Sequence, residues 1–230
     1  LGVWALPAAV ALGFMAVLWV KNPSSELQLH SAANQQKLPV WRSSLAWGLV
    51  FMFGMTSLIT YAIFTWLPLL MVDAGASPEF GGVMLAWFAA VGLSSSLLMP
   101  WAGAKMRNPF PLVVFCLVAY AVAFPGLMFA PMSYPWFWVT AMALGPSTFP
   151  LALTLINLRT STSQGSASLS GFAQGFGYLL SCMGPFVLGV MRDLGTGWVL
   201  PLSFLAGCAV VMAFGAWQVC KPRFLEDTLR

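Results

Sequence analysis

The chain has 230 residues, of which 60% are hydrophobic and only 7% charged, with a formal net charge of +4. A soluble domain carries roughly 25% charged residues, so this composition excludes a water-facing globular protein, and the positive balance is read as a membrane topology signal, not as a nucleic-acid-binding surface. Runs of about 20 apolar residues recur along the chain, the length a bilayer core demands, and in hydrocarbon such runs are helices because each backbone amide needs a partner within its own segment.

Seven apolar segments follow in chain order: Leu1 to Val20, Leu45 to Met71, Gly81 to Trp101, Phe110 to Ala130, Tyr134 to Leu158, Leu169 to Met191 and Trp198 to Val219. Short connections carry turn chemistry, as in Gly75-Ala76-Ser77-Pro78, Arg107-Asn108-Pro109, Pro131-Met132-Ser133 and Gly195-Thr196-Gly197. The exception is the polar stretch from Lys21 to Ser44, with Asn22-Pro23-Ser24-Ser25 and Asn34-Gln35-Gln36, which has the composition of a flexible linker. The first segment lacks the charged flank and cleavage site of a secretory signal, so residues 1–20 are expected to be the last membrane helix of an N-terminal half. Residues 21–44 are then a linker, residues 45–219 a six-helix bundle, and residues 220–230 a tail.

Seven crossings place Lys21, Lys37, Arg42, Lys105, Arg107, Arg159, Lys221, Arg223 and Arg230 on one side. The opposite loops hold Arg192 beside Asp193, together with Asp73 and Glu79. Nine basic residues against one is a positive-inside bias, which predicts that linker and tail are cytoplasmic. Tryptophans such as Trp19, Trp41, Trp101, Trp136, Trp198 and Trp217 fall near segment ends, as an interfacial aromatic belt requires.

Titratable groups suited to catalysis are missing from the segments. The single histidine, His30, lies in the linker, and no HExxH, GxSxG or P-loop pattern occurs. Gly175-Phe176-Gly177 has no third glycine and lies in a span, so a dinucleotide fingerprint is rejected. Cys116, Cys182, Cys208 and Cys220 lack metal or redox spacing and read as packing residues, and no cofactor is implied. No Asp, Glu, Lys or Arg lies near a predicted midplane, so these segments supply no proton-relay carboxylate.

What remains is uncharged polarity on helix faces. Phe53, Thr56, Ser57, Thr60 and Phe64 share an arc of about 100° on the second segment, with Tyr61 at its edge. Thr140, Ser147, Leu151 and Thr154 form a stripe on the fifth, and Gln174, Tyr178, Ser181 and Pro185 one on the sixth. Hydroxyls of this kind either bond back to the i−4 carbonyl and join helices, or line a cavity. The substrate-binding candidates are Thr56, Thr60, Tyr61, Ser147, Gln174 and Tyr178. Gly171-xxx-Gly175 predicts close helix packing, and Gly184-Pro185 a bend in the sixth segment.

Trp41-Arg42-Ser43, Leu45-Ala46-Trp47, Ser57-Leu58, Tyr61 and Trp66-Leu67-Pro68 resemble the seventh-helix region of the cyanate and 2-nitroimidazole transporter group of the major facilitator superfamily. Leu158-Arg159, Leu169-Ser170-Gly171, Gln174, Gly177-Tyr178-Leu179 and Gly184-Pro185 resemble the same group's tenth- and eleventh-helix region, and Gly189, Asp193, Gly197-Trp198 and Pro201-Leu202 continue the likeness. The resemblance implies an all-α polytopic transmembrane bundle, the C-terminal six-helix half of a twelve-helix fold plus the preceding helix. It also implies a midplane site between two halves, with helices seven and ten lining it.

The expected function is secondary transport of a small neutral or anionic solute by alternating access, in a bacterial inner membrane. The expected partners are that solute, the lipid bilayer and the N-terminal half of the same transporter. A membrane scaffold without a permeation path is the alternative, and an enzyme is not expected. A scaffold predicts that the polar stripes pack against one another, whereas a transporter predicts that they face a shared cavity.

Overall fold

The computed structural model describes residues 12–15, 17, 38–195 and 197–228. The chain divides into two units at Lys37/Leu38. Of the first, residues 12–15 and 17 are helical; the rest of the expected span 1–20 and the linker to Lys37 lie outside the described residues.

The second unit is an all-α bundle of six helical spans. After a 3₁₀ turn at Val40–Arg42 come α1 (Ser44–Asp73), α2 (Pro78–Lys105) and α3 (Phe110–Phe129). The fourth span is broken: α4 (Pro135–Leu144) and α5 (Thr148–Leu158) are joined by a 3₁₀ turn at Gly145–Ser147. The fifth consists of α6 (Ser163–Ser181) and α7 (Met183–Asp193), and α8 (Val199–Cys220) is the sixth. All six are long and apolar enough to cross a membrane, and they coincide with the six apolar segments after the linker.

Local chemistry sets the helix starts. The Ser77 hydroxyl accepts from Phe80 N at 3.2 Å, with Pro78 at the first helical position. Thr162 caps α6 by accepting from Gly165 N at 2.9 Å. That cap starts the fifth span at Ser163, six residues before the expected Leu169, because the serine-rich first turns lack the hydropathy that marks a span. The fourth span does not run as one helix from Tyr134 to Leu158. Pro146 lacks the N–H that a continuous ladder requires, and the backbone tightens to 3₁₀ geometry there. The expected bend near Gly184-Pro185 is present as the break at Cys182.

α1 is the central element, packing on α8, α6, α2, α5 and α7. Its neighbours approach at glycines. A Cβ on Gly215 of α8 would lie 2.5 Å from the Gly48 carbonyl oxygen, and one on Gly177 of α6 would lie 2.5 Å from the Phe53 ring. These contacts let backbones meet, which matters where apolar burial against lipid supplies no driving force. Gly171 and Gly175 do not take this role: a Cβ on either would meet nothing within 4 Å in the bundle. The close approach falls on Gly177 instead, because the face of α6 turned toward α1 carries Leu169, Ala173, Gly177 and Ser181, all buried.

Candidate functional site

Most hydroxyls in the spans are held by their own helix. Thr60 donates to the Thr56 carbonyl at 2.7 Å, Thr65 to Tyr61 at 2.9 Å, Thr140 to Trp136 at 2.6 Å, Thr154 to Pro150 at 2.9 Å and Ser181 to Gly177 at 2.7 Å. These i−4 bonds satisfy the groups locally, the pattern expected for Ser and Thr in membrane helices. Ser57 differs from its neighbours: its hydroxyl is buried and has no hydrogen-bond partner.

Ser57 lies on the wall of a cavity of about 260 Å³. From α1 come Ser57, Thr60, Tyr61 and Phe64, and from α2 come Phe88, Ala89, Gly92, Leu93 and Ser96. Pro146, Phe149 and Pro150, at the break in the fourth span, complete the lining. These positions fall near the midpoints of their spans, and no lining residue carries a formal charge at neutral pH. The rings are held edge-on or tilted. Phe64 meets Phe88 at 5.2 Å and 86°, and Phe149 meets Phe53 at 4.8 Å and 34°. Tyr61 and Phe64 are partly exposed, so the cavity opens on their side of α1.

The six candidate residues separate. Thr60 and Tyr61 line the cavity. Thr56 does not: fully buried, its hydroxyl donates to Met52 O at 2.7 Å and lies 2.8 Å from the Thr148 hydroxyl, joining α1 to α5. Ser147 is likewise buried, and its hydroxyl lies 2.7 Å from that of Ser95 on α2. Gln174 donates to Ser170 Oγ at 2.6 Å on α6. Tyr178 is not in the lining; its ring stands edge-on to Phe53, with centroids 5.0 Å apart. Polar stripes therefore pack against one another at Thr56–Thr148 and Ser95–Ser147, and face open space at Thr60 and Tyr61. The aromatic wall from Phe88 and Phe149 had no sequence signal, since an aromatic ring within an apolar run marks lipid-facing and cavity-facing positions alike. The rotation of α2 about its axis decides it for Phe88, and that of α5 for Phe149.

Electrostatic contacts gather at the ends of the bundle. Beside the linker, Arg159 is the only buried charged residue among those described, at 8% exposure. It donates from Nε to Val219 O at 2.9 Å and from Nη2 to Cys220 O at 2.8 Å, with a longer bond to Arg107 O at 3.4 Å. Burial lowers its pKa from the ordinary arginine value. The tail folds back on the same region. Leu225 N donates to Arg159 O at 2.8 Å, and the Glu226 carboxylate accepts from Ser161 N, Thr162 N and Thr162 Oγ1. Desolvation raises the Glu226 pKa, but hydrogen bonds from its own backbone, Thr162 and Ser161 outweigh it and leave the net value lowered. At the opposite end, Asp73 accepts from Arg192 at 2.9 Å and from the Trp198 indole at 3.0 Å. Among the described residues no group of three or more His, Cys, Asp or Glu is placed to hold a metal ion.

Comparison with known proteins gives a consistent result. The sequence profile of the Major Facilitator Superfamily matches residues 1–188. The 2-nitroimidazole transporter of Escherichia coli K12 is 33% identical over 206 residues, which is 89% of this chain and 50% of that protein. An uncharacterized transporter of Bacillus subtilis 168 is 28% identical over 222 residues, 93% of this chain and 54% of the relative. The cyanate transport protein of E. coli K12 is 29% identical over 222 residues, 96% and 56% respectively. The chain thus spans about half the length of the curated relatives it matches. No solved structure matches it.

Proposed function

The chain belongs to the Major Facilitator Superfamily, and from that premise we propose that it forms one half of a secondary transporter that moves a small neutral or anionic solute by alternating access. The cavity between α1, α2 and the break in the fourth span is this half's share of the substrate site, and a second six-helix half supplies the facing wall. The observation that carries this reading is the uncharged cavity near the midpoints of three membrane spans. Two relatives support it through their names, a 2-nitroimidazole transporter and a cyanate transport protein, both with small substrates.

The proposed setting is a bacterial inner membrane with linker and tail cytoplasmic. Among the described residues, Arg42, Lys105, Arg107, Arg159, Lys221 and Arg223 flank the span ends on the linker side, and Arg192 alone lies opposite. Several linker-side cations rest on tryptophan rings, Lys105 over Trp101 at 3.7 Å and Lys221 over Trp217 at 3.4 Å, an arrangement suited to the headgroup layer.

The test uses the full-length protein with its native cysteines replaced and single cysteines introduced at Thr60 and Ser147. A hydrophilic maleimide should label T60C, in a manner that a transported solute protects against, and should leave S147C unlabelled. A Thr60 cysteine inert from both sides of the membrane would sink the cavity reading.

A further inference from the structure

We propose that the groove between α8 and the start of α3 binds one anionic phospholipid of the linker-side leaflet, with an acyl chain along Phe214 and Val210 and the phosphate at Lys221. Only the membrane spans are needed for this site, whichever solute the bundle moves.

The groove shares no residue with the cavity. Phe110, the first residue of α3, and Val210, Ala213, Phe214 and Trp217 of α8 line a volume of about 300 Å³. The Trp217 indole nitrogen is the one polar side-chain atom among them. Val210, Phe214 and Trp217 are exposed, as a surface covered by hydrocarbon requires. Their spacings of four and three stack them along one face of α8. From Trp217 to Val210 the helix rises about 10 Å, so the groove runs from the span end toward the bilayer midplane, the direction in which an acyl chain lies.

Charge selects the lipid. Just past the span end stands Lys221, whose Nζ lies 3.4 Å from the Trp217 ring centroid. Arg107 comes to the same end of the groove. Arg159 Nη2 bonds the Cys220 carbonyl at 2.8 Å and the Arg107 carbonyl at 3.4 Å, so one guanidinium gathers the two segments that carry these cations. Arg223, exposed two residues beyond Lys221, adds a third. Among the described residues the one ion pair is Arg192–Asp73, at the opposite end, so no carboxylate neutralises Lys221 or Arg107. Of the two acids in the tail, Glu226 is already bound to Ser161 and Thr162, which leaves Asp227 against three cations. Backbone donors contribute little, because Pro109 and Pro111 have no N–H and Phe110 N is taken by Asn108 Oδ1 at 3.1 Å. Recognition falls to side-chain cations, which attract a headgroup of net negative charge and repel the ammonium of a zwitterionic one.

The experiment counts lipids on the purified full-length protein by native mass spectrometry, titrating dioleoyl phosphatidylglycerol, dioleoyl phosphatidylcholine and sn-glycerol 3-phosphate. One phosphatidylglycerol should bind roughly tenfold or more tightly than phosphatidylcholine, and glycerol phosphate should not bind. Lys221→Gln should weaken phosphatidylglycerol about fivefold, the worth of one basic residue at a headgroup, and leave phosphatidylcholine unchanged. Lys221→Arg should restore the wild-type affinity. Arg192→Gln, which removes a charge from the opposite end, should change nothing, and Ala213→Leu, which fills the groove, should weaken both lipids. Each variant is matched to wild type by its melting in lipid-free detergent, and Lys221→Gln, at the span end, tests the headgroup contact even where Ala213→Leu does not fold. Equal affinity for the two lipids, or an equal loss in Arg192→Gln and Lys221→Gln, overturns the headgroup assignment. Unchanged phosphatidylglycerol binding in a folded Ala213→Leu variant places the lipid elsewhere and overturns the site. Glycerol phosphate binding as tightly as phosphatidylglycerol shows a free-phosphate site, and a wild-type dimer that Ala213→Leu converts to monomer shows a second copy in the groove; either result overturns the lipid.

Discussion

Beside the linker, where α5, α6 and α8 converge, a guanidinium at 8% exposure donates to the last carbonyls of α8, and the tail lies across it. At the other end, where α1, α7 and α8 converge, Arg192 and Asp73 are each about one-third exposed and meet in a single ion pair. Both ends use an arginine, but the physics differs. Arg159 satisfies backbone groups that a helix C-terminus leaves without partners, in a place where water cannot replace it. Arg192 meets a carboxylate that water and salt also reach, and such pairs contribute little. One end is fixed by burial, the other held by a contact that solvent can substitute.

The sharpest way to break this comparison is Arg159→Met, which keeps the side-chain volume and removes the donors. Two charge-assisted bonds are lost and the Val219 and Cys220 carbonyls are left unpaired, so the full-length protein should lose about 3 kcal/mol of stability. Detergent-solubilised thermal or denaturant unfolding measures it. A loss no greater than that of the Arg192 variant would erase the distinction between the ends.

Glu226→Gln comes next, with an expected cost of about 0.5–1 kcal/mol, because a neutral amide still reaches Thr162 while the charge at the α6 N-terminus is gone. The same contact predicts a pH dependence. The native carboxyl titrates below the ordinary value of 4.5, so its stabilisation is fully present above that value and is lost as pH falls through the lowered native pKa. The protection factors of the Ser161 and Thr162 amides, taken against intrinsic exchange at each pH, should therefore fall in acid in the wild type and be flat with pH in the Gln variant. Acid-independent protection in the wild type would show that the tail is held without the carboxylate, by Leu225 N on Arg159 O and by the Thr228 hydroxyl, which lies 2.7 Å from that of Ser43.

The smallest effect belongs to Arg192→Ala, at roughly 0–1 kcal/mol, and it should fade in molar salt, where screening reaches within a few ångströms. The cost of Arg159→Met should persist in the same salt. A salt-insensitive loss of 2 kcal/mol or more at Arg192 would mean that the Trp198 indole and the Asp73 carboxylate form a network stronger than exposure allows.

The spans after the linker were legible from residue order because hydropathy over about 20 residues is a local property, and the bilayer imposes the length. The turns at Gly75 and Gly195 were legible too, since both adopt positive φ, a region that glycine enters without steric cost. The kink in the fourth span was missed although Gly145-Pro146 stands in the sequence. A proline inside a helix predicts disturbance but not its form, and Pro68, Pro100 and Pro125 sit within continuous helices here.

The candidate site was legible only in part. Periodicity placed Thr56, Ser57, Thr60 and Tyr61 on one face of α1, yet that face meets α5 at Thr56 and open space at Thr60, a difference of a single turn. Phe88 and Phe149 could not be distinguished from lipid-facing rings, because the membrane gives both surroundings the same polarity. The sequence by itself determined that this chain crosses a membrane as helices, since backbone hydrogen bonding in hydrocarbon permits little else. Which hydroxyls join helices, which stay unpaired, as those of Ser57 and Tyr120 do, and which rings enclose the cavity were decided by helix rotation and close approach at Gly177 and Gly215, contacts between residues far apart in the chain that no local pattern encodes.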